Sequence, residues 1–591
     1  MLRFIFTFTH KTNVNEMKSY KVSSFLWSLI LLFFVGQASA QYKQTVVNPV
    51  SLTHDAKKLI PFQRLDELKI AVVTPSPKKY NTFIETLQYY ADVQSFDFNQ
   101  YDENTKYSNT IIVAGTAQEL RSDFLLMAAQ STVNKKDVII VRFGDEKDSF
   151  TLSSNLPSNA GVHVPDFTEK SQRYAAMSIF GGMAITEGTL RTTQTRLQYT
   201  EGEGSGLNLV KMTQKIDGIA AEAIREKGAP GMVVMAVKNG QVIFNKAYGS
   251  HTYDGKKATT TKDIFDLASV SKIAGTTPVV MHLQERGIIN LDSTMGHYLW
   301  QAKQTNKKDI TLRTVMLHEA GFTPFIPFYR NLKPGDLQHF PDDAHQVKVA
   351  DSAYLKTNYY RDVMWPEMLQ SDVKPIGNYV YSDISMYVMK EVAEHETAEP
   401  MDEYVQKILY RPIGMKAAGY NPRNRFARER IVPTQQDTAF RKVLLQGYVH
   451  DEGAAMAGGV AGHAGLFSTA NDLAIYGQML LNRGEYGGVR YFKRETVDMF
   501  TSKQSRTSRR GLGFDRFEPV SKTGYPSKLA NESVYGHTGY TGTCIWIDPR
   551  NQLIYIFLSN RVHPQVSTKL LDLNIRSRIQ DAIYETINEA K

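Results

Sequence analysis

A serine hydroxyl and a lysine amine stand three residues apart in Ala268-Ser269-Val270-Ser271-Lys272, where an apolar run ends and a helical pattern begins. Residues 273–286 carry Pro278, Val279, Val280, Met281 and Leu283 and stop at Gly287, a helix terminator. On a helix, positions three apart share a face, so Ser269 and Lys272 should meet one turn apart. A helix start also offers unpaired N–H groups and the positive end of the dipole, which suits a forming oxyanion. A serine beside an amine in that setting can act as a nucleophile without a histidine. Alone, the pair is a common helix-surface pattern, and its reading depends on the rest of the chain.

Two later stretches supply that context. Tyr379-Val380-Tyr381-Ser382-Asp383 lies in an apolar setting, with Tyr381 112 residues after Ser269. His537-Thr538-Gly539-Tyr540-Thr541-Gly542 is followed by a strand pattern to Ile547-Asp548-Pro549 and a second to Asn560. In order, these resemble the S-x-x-K, Y-x-N and K-T-G triplets of the serine β-lactamase and penicillin-binding superfamily. The resemblance is closest to its class C β-lactamase-like branch (peptidase S12-like), with D-aminopeptidases, DD-carboxypeptidases and esterases, and it covers residues 207–591. Leu317-His318-Glu319-Ala320-Gly321 stands where that family has L-x-H-x-S-G, and Gly462-His463-Ala464-Gly465-Leu466-Phe467-Ser468 where it has G-x-x-G-L-x-S.

The resemblance implies an acyl-enzyme on Ser269, with Lys272 and Tyr381 as the proton-transfer groups. It also implies an oxyanion hole made by the main-chain N–H groups of Ser269 and Tyr540, and a substrate-binding edge of Asp383, His537, Thr538, Gly539 and Tyr540. Two positions depart from the family pattern. Asp383 replaces an amide donor with a carboxylate acceptor; beside Lys272 it should raise the lysine's affinity for its proton, whereas desolvation alone would lower it. His537 replaces a permanent cation with a group that is mostly neutral at pH 7. That weakens recognition of a substrate carboxylate and moves the reading toward aminopeptidase-like and esterase-like members. On this reading His537→Lys is expected to improve nitrocefin hydrolysis.

Other patterns in the chain compete with these. Lys522-Thr523-Gly524 is a literal K-T-G but is followed by Tyr525-Pro526 rather than a strand. Ser382-Asp383 read as the start of S-D-N puts Ile384 where an amide is needed. His450, Asp451 and His463 can be offered as metal ligands, but a pocket-wall role beside a complete serine site is preferred. No metal or organic cofactor is expected. The formal charge of +9 is spread without an arginine-rich run, so no nucleic-acid partner is expected. Cys544 is the single cysteine, which excludes an internal disulfide and a cysteine metal cluster.

Met17-Lys18-Ser19-Tyr20-Lys21, the apolar run 25–35 and Ala38-Ser39-Ala40 read as a signal peptide over residues 1–40, with Met17 the expected start and Gln41 the mature end. The expected location is the periplasm or the secreted fraction, with no membrane span in the mature chain. From 41 to 190, short apolar runs near 68–73, 109–115 and 137–144 alternate with helical patterns at 80–91, 124–133 and 170–182. That alternation predicts an α/β sandwich with a mostly parallel sheet. Leu59-Ile60-Pro61, Ile70-Ala71-Val72-Val73 and Phe167-Thr168-Glu169 to Phe180-Gly181 resemble the C-terminal α/β-sandwich domain of family 3 glycoside hydrolases. The barrel carrying those enzymes' catalytic carboxylate needs on the order of 200 residues, so this stretch is expected to cleave no sugar.

Residues 191–206 read as a polar linker. After it, a helix and an Asn239-Gly240 hairpin at the start, with a hairpin and the Ile575, Ile579, Ile583, Ile587 helix at the end, can build one antiparallel sheet joining both ends of an α+β domain over 207–591. The resemblance implies, for the whole, an α/β-class serine hydrolase for a small-molecule or peptidoglycan-derived peptide or ester. The competing readings are a catalytically silent glycopeptide-binding protein and a true β-lactamase. The oligomeric state is not legible.

Overall fold

The computed structural model describes residues 48–101, 108–120, 122–145, 158–186, 190–518 and 526–591. The expected signal peptide and the Lys522-Thr523-Gly524 decoy lie outside them. Among the described residues no helix is long and apolar enough to cross a membrane.

The first sheet is built from β1 (Ser51–Asp55), β2 (Ile70–Thr74), α1 (Asn81–Tyr90), β3 (Val93–Asp97), β4 (Thr110–Thr116), α2 (Ser122–Val133), β5 (Asp137–Phe143), β6 (Ala160–Val164) and α3 (Glu169–Phe180). Its strand order is β1-β6-β5-β4-β2-β3, parallel throughout except for β1. Helices cover it, so β2 and β6 are buried along their whole length and read as continuous apolar runs rather than alternating ones. The parallel α/β expectation holds. The sequence missed β1, β3 and β6: β1 and β3 carry polar side chains at an edge, and β6 holds Gly161 and His163.

Residues 191–206 are not a free spacer throughout. Arg196, Leu197, Tyr199 and Thr200 are buried, and Gln198 bridges to Gln241.

The second sheet follows α4 (Leu209–Arg225) and contains β7 (Gly231–Lys238) and β8 (Gln241–Gly249). The helical middle carries α5 (Thr277–Glu285), α6 (Ile384–Thr397), α7 (Glu452–Met456) and α8 (Ala470–Leu481). The chain then returns as β9 (Asp515–Arg516), β10 (Tyr535–Thr538), β11 (Cys544–Asp548), β12 (Leu553–Ser559) and α9 (Ile575–Glu589). The order is β9-β10-β11-β12-β7-β8, with every neighbour antiparallel. The start and the end of this region therefore share one sheet, as the sequence predicts. Met232, Val234 and Ala236 of β7 and Tyr555 and Phe557 of β12 pack under Ile216 of α4 and Ile579 and Ile583 of α9. On the opposite face Gly477 of α8 lies against Ile554 and Ile545. Both faces of this sheet are therefore covered by helices.

Candidate active site

Ser269 lies one residue before the first helical turn, at the end of a strap pinned on both sides. Phe265-Asp266 pairs with Phe467-Ser468. Asp266 is buried; its Oδ1 accepts the Ala268 N–H at 2.9 Å and its Oδ2 the His450 N–H at 2.7 Å. Ala268 is left-handed, with φ of 45°, a conformation unfavourable for a residue with a Cβ. The Asp266 contact and burial hold it there, and the turn presents the next residue, Ser269. Burial pushes the Asp266 carboxyl up to about 6.

The loop after β10 is clamped to the same strap. Thr541 Oγ1 donates to Asp266 O at 2.8 Å and Thr543 Oγ1 to Leu267 O at 3.0 Å. Gly539 permits this approach, because a Cβ there would stand 2.3 Å from Leu267 O. Tyr540 follows Gly539 in this clamped loop, about half exposed at 51%, its ring stacked on His450 at 5.3 Å. Among the described residues, neither the Ser269 nor the Tyr540 main-chain N–H donates to a protein acceptor.

After Ser269 the helix does not start regularly: Lys272–Thr276 form a π-helical turn before α5, a feature often found at functional sites. The predicted one-turn spacing still brings the pair together, with Lys272 Nζ 3.0 Å from Ser269 Oγ. Lys272 is fully buried and spends its other donors on Asp383 Oδ1 at 2.8 Å and His463 O at 3.2 Å. Burial works against its charge, but the Asp383 carboxylate and the Tyr381 hydroxyl outweigh it, so its pKa is raised. Lys272 is thus an ammonium, not a free-amine base. Of the two opposed expectations, the carboxylate's effect prevails over desolvation.

Tyr381 and Asp383 arrive together just before α6. Asp383 occupies the N-cap position without capping the helix; its side chain turns to Lys272 instead. The Tyr381 ring lies 4.8 Å from Lys272 Nζ and 4.7 Å from the buried His318 ring. His318 Nδ1 accepts the Ser382 N–H at 3.2 Å. Burial, with Arg510 and Lys272 nearby, pushes the His318 pKa well below its ordinary value, so the ring is a neutral platform under Tyr381.

His537 is buried on β10, 6.0 Å ring to ring from Tyr381. Its Nδ1 meets Thr538 O at 2.7 Å and its Nε2 faces Arg510 Nη2 at 3.5 Å. That arrangement assigns the proton to Nδ1. Burial, then the Arg510 charge, lowers the His537 pKa to about 3. The sequence reading missed Arg510. Its guanidinium lies 5.8 Å from both the Tyr379 and Tyr381 rings and 3.5 Å from Asp515. A cation is therefore present beside the tyrosine, but it comes from a loop 27 residues before His537, where no motif marks it. Asp266 was missed too; its signal was an acid inside the apolar run Ile264-Phe265-Asp266-Leu267.

Asp383, Asp451 and His463 bring ligand-type atoms within 4.8 Å of one another. His463 Nε2 meets Asp451 Oδ1 at 2.9 Å, and Asp451 caps α7 through Ala454 N. Burial disfavours charge on Asp451, but His463 and the cap outweigh it and hold the carboxyl well below its usual range. The Lys272 ammonium already serves as the cation for Asp383.

The sequence model of the Beta-lactamase family matches residues 216–579. The "Putative D-alanyl-D-alanine carboxypeptidase" of Escherichia coli is 30% identical over 396 residues, spanning 63% of this chain and 87% of that protein. The protein of the same description from Salmonella typhi is 29% identical over 386 residues, spanning 61% and 85%. Among solved structures, "EstCE1, a hydrolase with promiscuous acyltransferase activity" aligns at 18% identity with a TM-score of 0.48, over 64% of this chain and 99% of that one. The family match spans the greater part of the molecule and contains Ser269, Lys272 and Tyr381, and on that ground the chain belongs to the β-lactamase family of serine hydrolases.

Proposed function

We propose that this protein cleaves an ester or amide of a D-amino-acid peptide, cell-wall peptide or simple ester through an acyl-enzyme on Ser269. The observation that carries this reading is the 3.0 Å contact between Ser269 Oγ and a buried Lys272. Ser269 Oγ attacks the acyl carbon; its proton moves to the Tyr381 oxygen as the Tyr381 hydroxyl gives its own proton to the leaving group, so that Tyr381 ends neutral and the bond to the leaving group breaks. Lys272, keeping its own proton, holds Oγ and offsets the developing negative charge. The N–H groups of Ser269 and Tyr540 receive the carbonyl oxygen. Water then attacks the ester and frees Ser269. The carboxypeptidase description of the curated relatives supports a peptide from the cell wall, which also favours export to the periplasm. Residues 41–190, which contain the first sheet, are taken as a non-catalytic sandwich like that of family 3 glycoside hydrolases, preceding a hydrolase domain over 207–591.

Labelling with a fluorophosphonate followed by peptide mass analysis tests the nucleophile. The mass shift is expected on the peptide holding Ser269 and is expected to vanish in Ser269→Ala, with turnover reduced by several orders of magnitude. A shift that survives in Ser269→Ala rejects the assignment.

A further inference from the structure

The turn that begins with Lys272 is wider than an α-helix, and a proline just beyond it accounts for the width. Lys272–Thr276 are π-helical, with the Thr277 N–H returning to Lys272 O. Pro278 follows in the first turn of α5. A proline supplies no N–H, and its ring crowds the carbonyl four residues back, here that of Ala274. Widening the preceding turn moves that carbonyl aside. The arrangement recurs elsewhere in the chain. Tyr360–Met364 and Gln406–Tyr410 are also π-helical, and Pro366 and Pro412 stand at the same place after them. Among the described residues, every π-helical turn has a proline two residues past its end, which ties the wide turn to the proline.

A widened turn before a proline leaves carbonyls short of donors. The Thr277 N–H, the α-helical partner of Ile273 O, is spent on Lys272 O. Residue 278 has no N–H to offer either Ile273 or Ala274. Two tyrosines from distant parts of the chain make up the loss. The Tyr476 hydroxyl, from α8, donates to Ile273 O at 2.5 Å, and the Tyr410 hydroxyl donates to Ala274 O at 2.5 Å. Ile273, Ala274 and both tyrosines are fully buried, so water is no substitute and an orphaned carbonyl would be costly. The Thr276 hydroxyl fastens the same turn to Gly462 O at 2.6 Å, next to His463, whose carbonyl accepts from Lys272.

The consequence is one of register. A π-turn holds one residue more than an α-turn, so what precedes it is rotated by about 100° relative to α5. The strap before Ser269 is pinned to Phe467-Ser468 and to the loop after β10. Rewinding the turn as α-helix would therefore carry Lys272 away from the direction it now takes. In that direction its Nζ meets Ser269 Oγ at 3.0 Å, Asp383 at 2.8 Å and His463 O at 3.2 Å. We infer that Pro278, Tyr410 and Tyr476 are positioning residues that act through Lys272: the proline opens the turn, and the two hydroxyls hold it open. This rests on Ser269 being the acylated residue, with Lys272 as its partner.

The test separates the turn from the fold, using p-nitrophenyl acetate turnover, Tm and crystal structures of the variants. In Tyr410→Phe, Ala274 O loses its donor. Tm should fall, and kcat should drop about tenfold or more with KM changed by less than about threefold. Tyr476→Phe should behave alike. Adding Pro278→Ala to Tyr410→Phe returns an N–H to Ala274 O and lets the turn wind as α-helix. Tm should then recover while kcat stays low, and the crystal structure of this double variant should show Lys272 Nζ out of contact with Ser269 Oγ. A hydroxyl that served stability alone would restore kcat together with Tm, and that result overturns the proposal. Should the tyrosine variants fail to fold, Pro278→Ala by itself decides. It should keep its Tm and lose about tenfold in kcat, with the π-turn gone from its structure. A retained π-turn with kcat within twofold of wild type overturns the proposal and leaves the hydrolase reading standing. Wild-type turnover that is absent, or that survives in Ser269→Ala, removes that reading and the positioning role with it.

Discussion

At the scale of single residues, His537 shows how a neighbour changes the meaning of a substitution. The sequence presents it as a cation lost from the β10 edge, one that a lysine would restore. Arg510, 3.5 Å from its Nε2, already places a positive charge there. His537→Lys would therefore bury a second cation against the guanidinium. The expected result is a loss of stability on the order of 3 kcal/mol, seen as a lower Tm, with no gain in nitrocefin hydrolysis. An unchanged Tm with faster nitrocefin turnover contradicts this. The native ring also shapes acid stability. Its folded pKa of about 3 lies below the ordinary 6.5, so the unfolded chain binds the proton first. The stability it contributes is complete above pH 6.5 and is lost as pH falls from there toward 3, at up to about 1.4 kcal/mol per pH unit. His537→Gln should therefore lose less Tm than the wild type between pH 7 and pH 4.5. No inflection in kcat/KM between pH 6 and 8 should trace to this residue.

At the scale of elements, the site is a junction of three short segments: the strap before Ser269, the start of α6 and the loop after β10. Contacts tie them to one another: Thr541 and Thr543 to the strap, Asp383 to Lys272, and Tyr381 to His537. Gly539 is the closest approach, with a Cβ falling 2.2 Å from Thr543 Oγ1 and 2.3 Å from Leu267 O. The hydroxyl can rotate away, but the carbonyl belongs to the strap and cannot move without carrying Ser269. Gly539→Ala should cost about 1–3 kcal/mol of stability and a larger share of activity, about a hundredfold in kcat/KM. Activity within twofold of wild type would mean that strap and loop are not rigidly coupled.

At the scale of the whole molecule, the first sheet and the hydrolase region are stitched together. Arg196, 2% exposed, donates to the carbonyls of Phe62, Gln63 and Phe180. Its guanidinium also fills the space beside Gly487. Leu65 N–H reaches Pro412 O at 3.3 Å, and Lys416 Nζ reaches Ala91 O at 3.3 Å. From the sequence, a chain beginning near Arg191 is expected to keep esterase activity. The structure revises this: without residues 48–190 the Arg196 charge loses its three acceptors, and Leu197 and Tyr199 lose cover. That shortened chain should be insoluble or should melt well below the full chain. Arg196→Met in the full chain should cost about 1–3 kcal/mol, because three carbonyls then lose their donor. A shortened chain with wild-type Tm and esterase rate contradicts both.

The sequence alone determined the parallel α/β character of the first sheet though not its strands β1, β3 and β6, the pairing of the start and end of the second sheet, and the gathering of Ser269, Lys272, Tyr381 and the His537 loop. These follow from local periodicity and from motifs whose spacing along a helix or turn sets the contact. The tertiary structure decided what the spacing could not carry. Lys272 keeps its proton because a carboxylate 111 residues away sits on it. His537 is neutral because the fold buries its ring and then a loop delivers Arg510 beside it. The 191–206 stretch is partly buried, although its polar composition reads as a spacer, because Arg196 finds carbonyls from two distant segments. The charge state of a buried group depends on partners summed over space, and no pattern along the chain reports that sum.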